Sequence, residues 1–263
     1  DGRGAGVWVR RSKNVRIDGI VVSQLPIGQC DSVELMNVKS ISYYGWGDGM
    51  DVFSSSNVIL DGVFCRNSDD CAAVYASTQG FKGGSNNVLV KNATLWADVA
   101  HPINIGGHGD PNGMDTVQNV TFRNIDILDQ AEKQIDYQGC LAINPGDNTL
   151  VRNITFENIR IEDFRNGQLV NFRISFNPKY CVSTGRGIQN VLVKDVTYNG
   201  SGENLSIIAG YDENHKISGI WFVNLVVNGR KITDDMPGKP KWYKTGDMAG
   251  IFVGEHVENL SFE

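Results

Sequence analysis

The stretch GWGDGMDVFSSSNVILDGVFCRNSDDCAAVY, Gly45 to Tyr75, combines short apolar strand signals with an unusual number of acidic residues. Its Val, Ile, Phe and Tyr residues favour strands, and the Gly, Asn, Asp and Ser clusters between them favour turns. Five carboxylates nevertheless occur in it, and two of them, Asp69 and Asp70, are adjacent. The arrangement of the strands in space therefore determines which of these carboxylates meet.

One phrase of this stretch, NVILDGV from Asn57, recurs along the chain at irregular spacings of about 18 to 40 residues. Each copy alternates apolar and polar residues and carries Asn, Asp or Gly near its end, as a short strand followed by a turn does. The other copies are NVRIDGI from Asn14, SVELMNV from Ser32, NVLVKNA from Asn87, NVTFRNI from Asn119, NITFENI from Asn153, NVLVKDV from Asn190, GIWFVNL from Gly219 and NLSFE from Asn259.

A second strand lies between these copies, and no segment has a sustained 3.6-residue apolar period. Repeated short strands with loops of variable length predict an all-β, right-handed parallel β-helix, or solenoid, that forms a single domain over residues 1–263. A β-propeller needs about four strands per 40 to 45 residues at steadier spacing, and a β-sandwich would not repeat one phrase nine times. The chain opens inside the repeat pattern, so we expect N-terminal coils or an N-terminal region to be missing from it.

The composition of the 263 residues narrows the possible partners. A net charge of −6, with no basic run, argues against nucleic acid, and no apolar run is long enough for a membrane span. The five cysteines include no CxxC pair, which argues against zinc; Cys65 and Cys71 are as compatible with a bridge as with buried thiols. We expect a monomer without cofactor or metal.

The second strands read DGMDV from Asp48, DCAAV from Asp70, HPINI from His101 and GCLAI from Gly139. When their apolar third and fifth residues are aligned facing inward, their first residues form one column across four successive coils. Strand alternation would turn Asp69 to the side of the pleat opposite Asp70. Three carboxylates and an imidazole thus converge on one patch of the solenoid, with Asp51 and Asn104 at outward positions beside them.

Carboxylates this close cannot all ionise freely, so at least one of their pKa values should rise. That arrangement suits acid–base catalysis at a glycosidic bond, in which one carboxylic acid protonates the leaving oxygen and ionised carboxylates activate water. A cluster of turn-capping Asp residues, or a calcium site, is the alternative; the stacked Asp and His favour catalysis.

Asp69 follows Asp48 by 21 residues, and this Asp-Gly … Asp-Asp pattern, with coils led by Asn-apolar strands, resembles the polygalacturonase-type glycoside hydrolases of family 28. A more distant similarity is to the dextranase and isopullulanase group of family 49. The resemblance implies a right-handed β-helix that cleaves polysaccharides with inversion. It implies that Asp69 is the general acid and that Asp48 and Asp70 hold and activate the attacking water.

The family's supporting His has two candidates. HPINIG places His101 in the stacked column, whereas the letters GGHG, Gly106 to Gly109, match at His108 just past the strand. The alignment of the second strands, which places His101 level with Asp48 and Asp70, favours His101 as the catalytic partner. Residues expected to contact substrate are Trp46, Asp51, Tyr75, Asn104, His108, Asn144 and Arg173.

The sequence departs from the family at two places. Trp46 stands where the family has Asn, and Leu141 to Asn144 stand where an Arg-Ile-Lys segment would grip a uronate carboxylate. Arg173, one coil later, is the candidate to replace that cation, with Lys179 and Arg186 nearby. Without a recognisable cation pair, a neutral glucan is the alternative substrate to a pectin.

Two other classes of function remain open at this point. A polysaccharide lyase on the same fold would need an Arg or Lys base in the column, where none occurs. A non-catalytic carbohydrate-binding solenoid would not need convergent acids. We therefore expect a polysaccharide or oligosaccharide substrate, and a secreted or periplasmic location.

Overall fold

The structure, a computed structural model, describes residues 5–202 and 204–263. In chain order its strands are β1 Val9–Arg10, β2 Lys13–Asp18, β3 Val21–Val22, β4 Ile27–Gly28, β5 Asp31–Met36, β6 Lys39–Ile41, β7 Met50–Phe53, β8 Ser56–Asp61, β9 Phe64–Asn67, β10 Ala72–Tyr75, β11 Ser85–Ala97, β12 Ile103–Ile105, β13 Thr116–Gln130, β14 Leu141–Ile143, β15 Leu150–Ile161, β16 Val170–Arg173, β17 Gly187–Tyr198, β18 Ser206–Ala209, β19 Ile217–Val227, β20 Arg230–Ile232, β21 Ile251–Val253 and β22 Val257–Phe262. A 3₁₀ turn spans Ile135–Tyr137, and one short helix, α1, spans Thr245–Ala249.

The strands stack into two long parallel sheets. Sheet 1 has the order β1-β4-β7-β10-β12-β14-β16-β18-β21, and sheet 2 runs β2-β5-β8-β11-β13-β15-β17-β19, with the short strands β3, β6 and β9 alongside. Every pair is parallel except the one between β19 and β20. Each coil contributes one strand to sheet 1 and either two short strands or one long strand to sheet 2. Parallel connections of this kind are strongly biased to the right hand. The predicted all-β parallel β-helix is confirmed.

The recurring Asn residues lie at the corners of the coils. Within β11, inward side chains occur at positions 88 and 90 and then at 93, 95 and 97, so the alternation shifts at Asn92. Asn92 has a φ of 54° and Asn124, its counterpart in the next coil, one of 56°. Asn tolerates this left-handed conformation better than other non-glycine residues do. The repeated phrase therefore encodes a strand, a corner and a second strand.

The corner side chains also bond from coil to coil. The Asn92 Nδ2 donates to Asp61 Oδ1 at 2.7 Å, and the Asn124 Nδ2 donates to Asn92 Oδ1 at 2.7 Å. A second ladder includes Asn87, which donates to Asn57, and Asn57, which donates to Asp31. These bonds satisfy the side-chain amides at the corners, where the strands bend.

The interior is a continuous apolar column. One cluster of buried hydrophobic residues extends along the described chain from Val9 to Phe262. Phe156 stacks between Phe122 and Phe172 at centroid distances of 5.8 and 5.9 Å. All five cysteines are buried and free, so the alternative of a Cys65–Cys71 bridge is wrong. No helix in the described residues is long and apolar enough to cross a membrane.

Candidate active site

The strands of sheet 1 bring the predicted column together. Met50 pairs with Ala72, Ala72 with Ile103, and Ile103 with Leu141. The residues two positions earlier, Asp48, Asp70, His101 and Gly139, are therefore equivalent in register, as the apolar alignment predicted. The parallel pairing continues into the residues just before these strands. The Gly49 N–H donates to the Asp70 carbonyl at 2.7 Å, and the Cys71 N–H donates to the His101 carbonyl at 2.9 Å.

The Asp-Gly sequence at the first column position has a steric reason. A Cβ at Gly49 would lie 2.2 Å from the Cys71 carbonyl oxygen, so the backbones of the two coils could not approach this closely with any other residue. Gly49 thus keeps Asp48 close to the neighbouring coil.

Carboxylate oxygens of Asp48, Asp69 and Asp70 lie within 4.8 Å of one another. The expectation that Asp69 would point away from Asp70 is wrong, because β10 begins only at Ala72 and strand alternation does not apply before it. The Asp70 N–H donates to Asp69 Oδ1 at 3.0 Å, a local bond that turns the Asp69 carboxyl back toward its neighbour. The three acids therefore form one cluster.

Asp70 is the most fully bonded carboxylate of this cluster. Its Oδ1 accepts the His101 backbone N–H at 3.0 Å and lies 2.8 Å from His101 Nδ1. Its Oδ2 accepts bonds from the Tyr75 hydroxyl at 2.6 Å and from Asn104 Nδ2 at 2.7 Å. Burial by itself would raise the pKa of Asp70, but His101 and the bonds from Asn104 and Tyr75 lower it below its usual value.

The other two acids hold their protons more tightly. Burial, followed by the charge of Asp70, raises the pKa of Asp48 to about 7. Burial, followed by the charges of Asp70 and Asp48, raises the pKa of Asp69 to about 8. At neutral pH the cluster thus combines an ionised Asp70 with a protonated Asp69.

Asp51 lies on β7 beside the cluster and is 5% exposed. Its Oδ1 is buried and has no hydrogen-bond partner among the described residues. Burial, then the charges of Asp48, Asp70 and Asp69, raises its pKa well above the usual value. Burial and the three neighbouring carboxylates thus both disfavour ionisation of the Asp51 carboxyl.

A groove runs over the cluster, and its walls are rich in aromatic residues. Trp46 is 77% exposed and has a φ of 66°, a rare conformation for a bulky residue. On the other side, Tyr137 contacts the His101 ring at 4.3 Å and stacks on Tyr180 at 5.1 Å. The residues around this groove are Gly45, Trp46, Asp48, Asp51, Ser68, Asp69, Asp70, Tyr75, Thr78, Gln79, Val99, Ala100, His108, Glu132, Gln134, Tyr137, Lys179 and Tyr180.

The groove continues into an adjoining pocket that contains further predicted residues. Asn104, His108 and Asn144 line this pocket. His108 meets the Tyr75 ring edge-on at 5.0 Å, whereas it is His101 that bonds Asp70. Asn144 Nδ2 donates to Asn171 Oδ1 at 3.0 Å and to the Arg173 carbonyl at 3.3 Å.

Arg173 is not among the residues that line the groove or the adjoining pocket. Its guanidinium donates to the Asp136 carbonyl at 2.7 Å. Lys179, by contrast, lines the groove, although the sequence named it only as a neighbour. Lys179, Tyr137 and Tyr180 lie on segments between strands, where no alternation or register reveals which side chains face the column.

The fold and the site together define a parallel β-helix protein with a carboxylate cluster in an aromatic-walled groove. The family model described as "Glycosyl hydrolases family 28" matches residues 9–237 of the chain. The chain therefore belongs to family 28 of the glycosyl hydrolases, which confirms the resemblance seen in its sequence.

Individual relatives agree with this assignment. The chain is 26% identical over 206 residues to "Polygalacturonase" of Juniperus ashei, covering 75% of this chain and 37% of the relative. It is 29% identical over 164 residues to "Probable endo-xylogalacturonan hydrolase A" of Neosartorya fischeri, covering 62% of this chain and 38% of the relative.

Among solved structures, a Yersinia enterocolitica family 28 exopolygalacturonase superposes with a TM-score of 0.66 at 15% identity, over 94% of this chain and 46% of that one. This likeness concerns the fold alone. The chain thus spans less than half the length of the relatives and structures that it matches here.

Proposed function

We propose that this chain carries the catalytic centre of a pectin-degrading glycoside hydrolase that acts on a galacturonan-type polymer. The observation that carries the proposal is the split in proton affinity between two adjacent carboxyls. Asp70 accepts four hydrogen bonds of 3.0 Å or less and has a lowered pKa, whereas the pKa of Asp69 is raised to about 8. Cleavage of a glycosidic bond needs one acid and one base of this kind within a single site.

In this mechanism Asp69 donates its proton to the leaving glycosidic oxygen. Asp70, with Asp48, accepts a proton from the water that attacks the anomeric carbon. His101 acts through Asp70 as a positioning residue, because its ring and its backbone N–H both hold Asp70 Oδ1. Trp46 is exposed beside the acids and offers an apolar ring face to sugars. Tyr75 is buried, and its hydroxyl holds Asp70.

We propose inversion of the anomeric centre, with one water held between Asp48 and Asp70. Oxygens within 4.8 Å are closer than the roughly 6.5–9.5 Å between carboxyl groups that is usual in inverting enzymes, and retaining enzymes have about 5–5.5 Å. The wider spacing leaves room for a water between the acid and a single base. Here the proposed water lies between Asp48 and Asp70, to one side of the acid Asp69, so that room is not required. Proton NMR of the first product anomer distinguishes the two outcomes, since retention would reject the shared-water mechanism.

The substrate class rests on the relatives, whose names are polygalacturonase and endo-xylogalacturonan hydrolase. A neutral glucan is the second candidate, because Leu141 to Asn144 contain no cation. We also propose that the chain acts as a monomer outside the cytoplasm, secreted or periplasmic. In support, a single copy supplies the whole acid cluster, and pectic polymers occur outside cells.

The test is a panel of polygalacturonate, methyl-esterified pectin, xylogalacturonan and dextran, assayed for new reducing ends with wild type and Asp69→Asn. We expect cleavage of a galacturonan and a loss of about 10²–10⁴-fold in the variant. Asp235→Asn, at the exposed Asp-Asp pair of the C-terminal loop, is the matched control and should retain activity.

Several results would reject the proposal. Unsaturated products that absorb in the near ultraviolet, or loss of cleavage in EDTA, would indicate a calcium-dependent lyase. Cleavage of dextran alone would indicate a glucan hydrolase. Equal activity of Asp69→Asn and wild type would remove Asp69 from the mechanism.

A further inference from the structure

The absence of a cation at Leu141 to Asn144 raises the question of which group recognises an acidic sugar. A buried or grooved site for a carboxylate needs a positive partner. Two candidate arginines line neither the groove nor the adjoining pocket. Arg173 bonds the Asp136 carbonyl while its buried Nε has no partner among the described residues, and Arg186 bonds the carbonyls of Asn148 and Asp115 at 2.8 and 2.7 Å. These bonds hold loops in place and direct both guanidiniums toward the protein backbone.

Lys179 is the one Lys or Arg among the described residues that line the groove of Asp48, Asp69 and Asp70. It is exposed, and its Nζ lies 4.7 Å from the centroid of the Tyr180 ring. The same Nζ lies 3.4 Å from Gln134 Oε1, at the outer limit of a hydrogen bond. The Tyr180 side chain is a further hydrogen-bond partner of this ammonium. An ammonium has three donors, so this exposed one still has a donor available to a ligand.

The position of Lys179 is fixed by contacts that lead back to the catalytic column. Its backbone N–H donates to Asn177 Oδ1 at 3.1 Å, which orders the turn before Tyr180. Tyr180 stacks on Tyr137, and Tyr137 packs against the His101 ring. Tyr180 raises the pKa of Lys179 most, burial lowers it, and Glu132 and then Asp69 contribute smaller increases. The ammonium is thus both charged and within the electrostatic reach of the proposed acid.

We propose that Lys179 is the cation that binds the carboxylate of a uronic acid residue beside the scissile bond. This inference rests on the proposed function. It assigns the choice between acidic and neutral sugars to a loop residue between β16 and β17 and not to the strand positions Leu141 to Asn144. Lys179 contacts the substrate's carboxylate, takes no part in proton transfer and determines specificity.

The chemistry makes a distinction that can be measured. A carboxylate attracts an ammonium, whereas a methyl-esterified uronate carries no charge and offers only carbonyl oxygens. Removing the Lys179 charge should therefore weaken cleavage of the acid form and leave cleavage of the ester form unchanged. A merely structural role of Lys179 would affect both forms equally.

The experiment measures kcat and KM of wild type, Lys179→Met and Lys179→Arg on polygalacturonate and on its highly methyl-esterified form. We expect Lys179→Met to raise KM for polygalacturonate about 3–10-fold, with kcat changed less than about twofold, as befits an exposed charge pair. On the esterified polymer KM should stay within about twofold of wild type. Lys179→Arg should retain most of the affinity, because it keeps the charge.

The matched control is Lys231→Met, an exposed lysine on β20 in sheet 2, which should behave as wild type on both polymers. Unchanged KM of Lys179→Met on polygalacturonate, or an equal loss on both polymers, overturns the inference while the proposed function stands. If wild type cleaves only neutral glucans, both proposals fail together, and that result is visible before any variant is compared.

Discussion

Asp69 and Asp70 are adjacent in the chain, yet their surroundings give their carboxyl groups opposite proton affinities. Asp70 lies where its own coil and the next one bring donors from Tyr75, His101 and Asn104 to it. Asp69 has one short local bond, from the Asp70 N–H. The ionised neighbour that these donors stabilise is itself a cause of the raised pKa of Asp69. The acid and the base of the site are therefore coupled.

The first prediction concerns the alkaline limb of the pH profile. Because Asp69 must be protonated to act as the general acid, kcat/KM should fall as the pH rises above about 8. The charge of Asp48 contributes to that raised pKa, so the residual activity of Asp48→Asn should show an alkaline limb at lower pH. An alkaline limb that does not move in Asp48→Asn would contradict the coupling.

The second prediction concerns the acidic limb and His101. His101 lowers the pKa of Asp70. His101→Gln should therefore raise it and move the acidic limb of kcat/KM to higher pH. A merely structural role would lower activity at every pH by the same factor, so the shape of the profile separates the two roles.

The third prediction is that Asp69→Asn stabilises the protein while it abolishes activity. The folded-state pKa of about 8 exceeds the ordinary 3.8, so the folded state binds this proton more tightly than the unfolded state does. Stability associated with Asp69 is full below a pH of about 4 and is lost as the pH rises toward 8. The variant should gain about 1–3 kcal/mol of unfolding free energy at pH 8 and nothing at pH 4. Urea titrations at both pH values measure it; an equal effect at both would contradict the assignment.

At the scale of elements, the Asn corners set the geometry that the strands alone do not. Asn92 combines a φ of 54° with bonds to the coils before and after it. Asn92→Ala should cost about 2–3 kcal/mol, from backbone strain and lost hydrogen bonds, and Asn92→Gly about 1–2 kcal/mol, because glycine accepts the conformation. Chemical denaturation of both variants measures the difference; equal losses would mean that the left-handed backbone contributes nothing.

Most of sheet 1 and the column of Asp48, Asp70 and His101 could be predicted from the sequence. Apolar residues alternate along each strand, and aligning them gives the register between parallel strands. The prediction failed for Asp69, which precedes its strand and follows a local bond instead. It also ranked Arg173 above Lys179. Loops have no register, so their side chains can be placed only when packing such as the stack of Tyr137 and Tyr180 is known.

At the scale of the whole molecule, the apolar column joins successive coils through stacked rings. Phe156 is fully buried between Phe122 and Phe172, so each coil in this region depends on its neighbours. Phe156→Ala should lower the unfolding free energy by about 3–5 kcal/mol. Circular dichroism during urea titration measures the loss, and Phe156→Leu should cost less because it leaves a smaller cavity. A loss below about 1 kcal/mol for Phe156→Ala would mean that the column relaxes to fill the space.

The division of labour between sheet and loop has an evolutionary consequence. Residues 174–186 join β16 to β17, and Lys179 belongs to this segment. Its ends bond to neighbouring coils, since the Ile174 N–H donates to the Ala209 carbonyl and the Arg186 N–H to the Thr149 carbonyl. Under the proposed role of Lys179, exchanges in the middle of this segment would change which sugar is bound while its bonded ends stay in place. The acid cluster of sheet 1 would then be inherited unchanged as relatives diverge in substrate preference through one connecting segment.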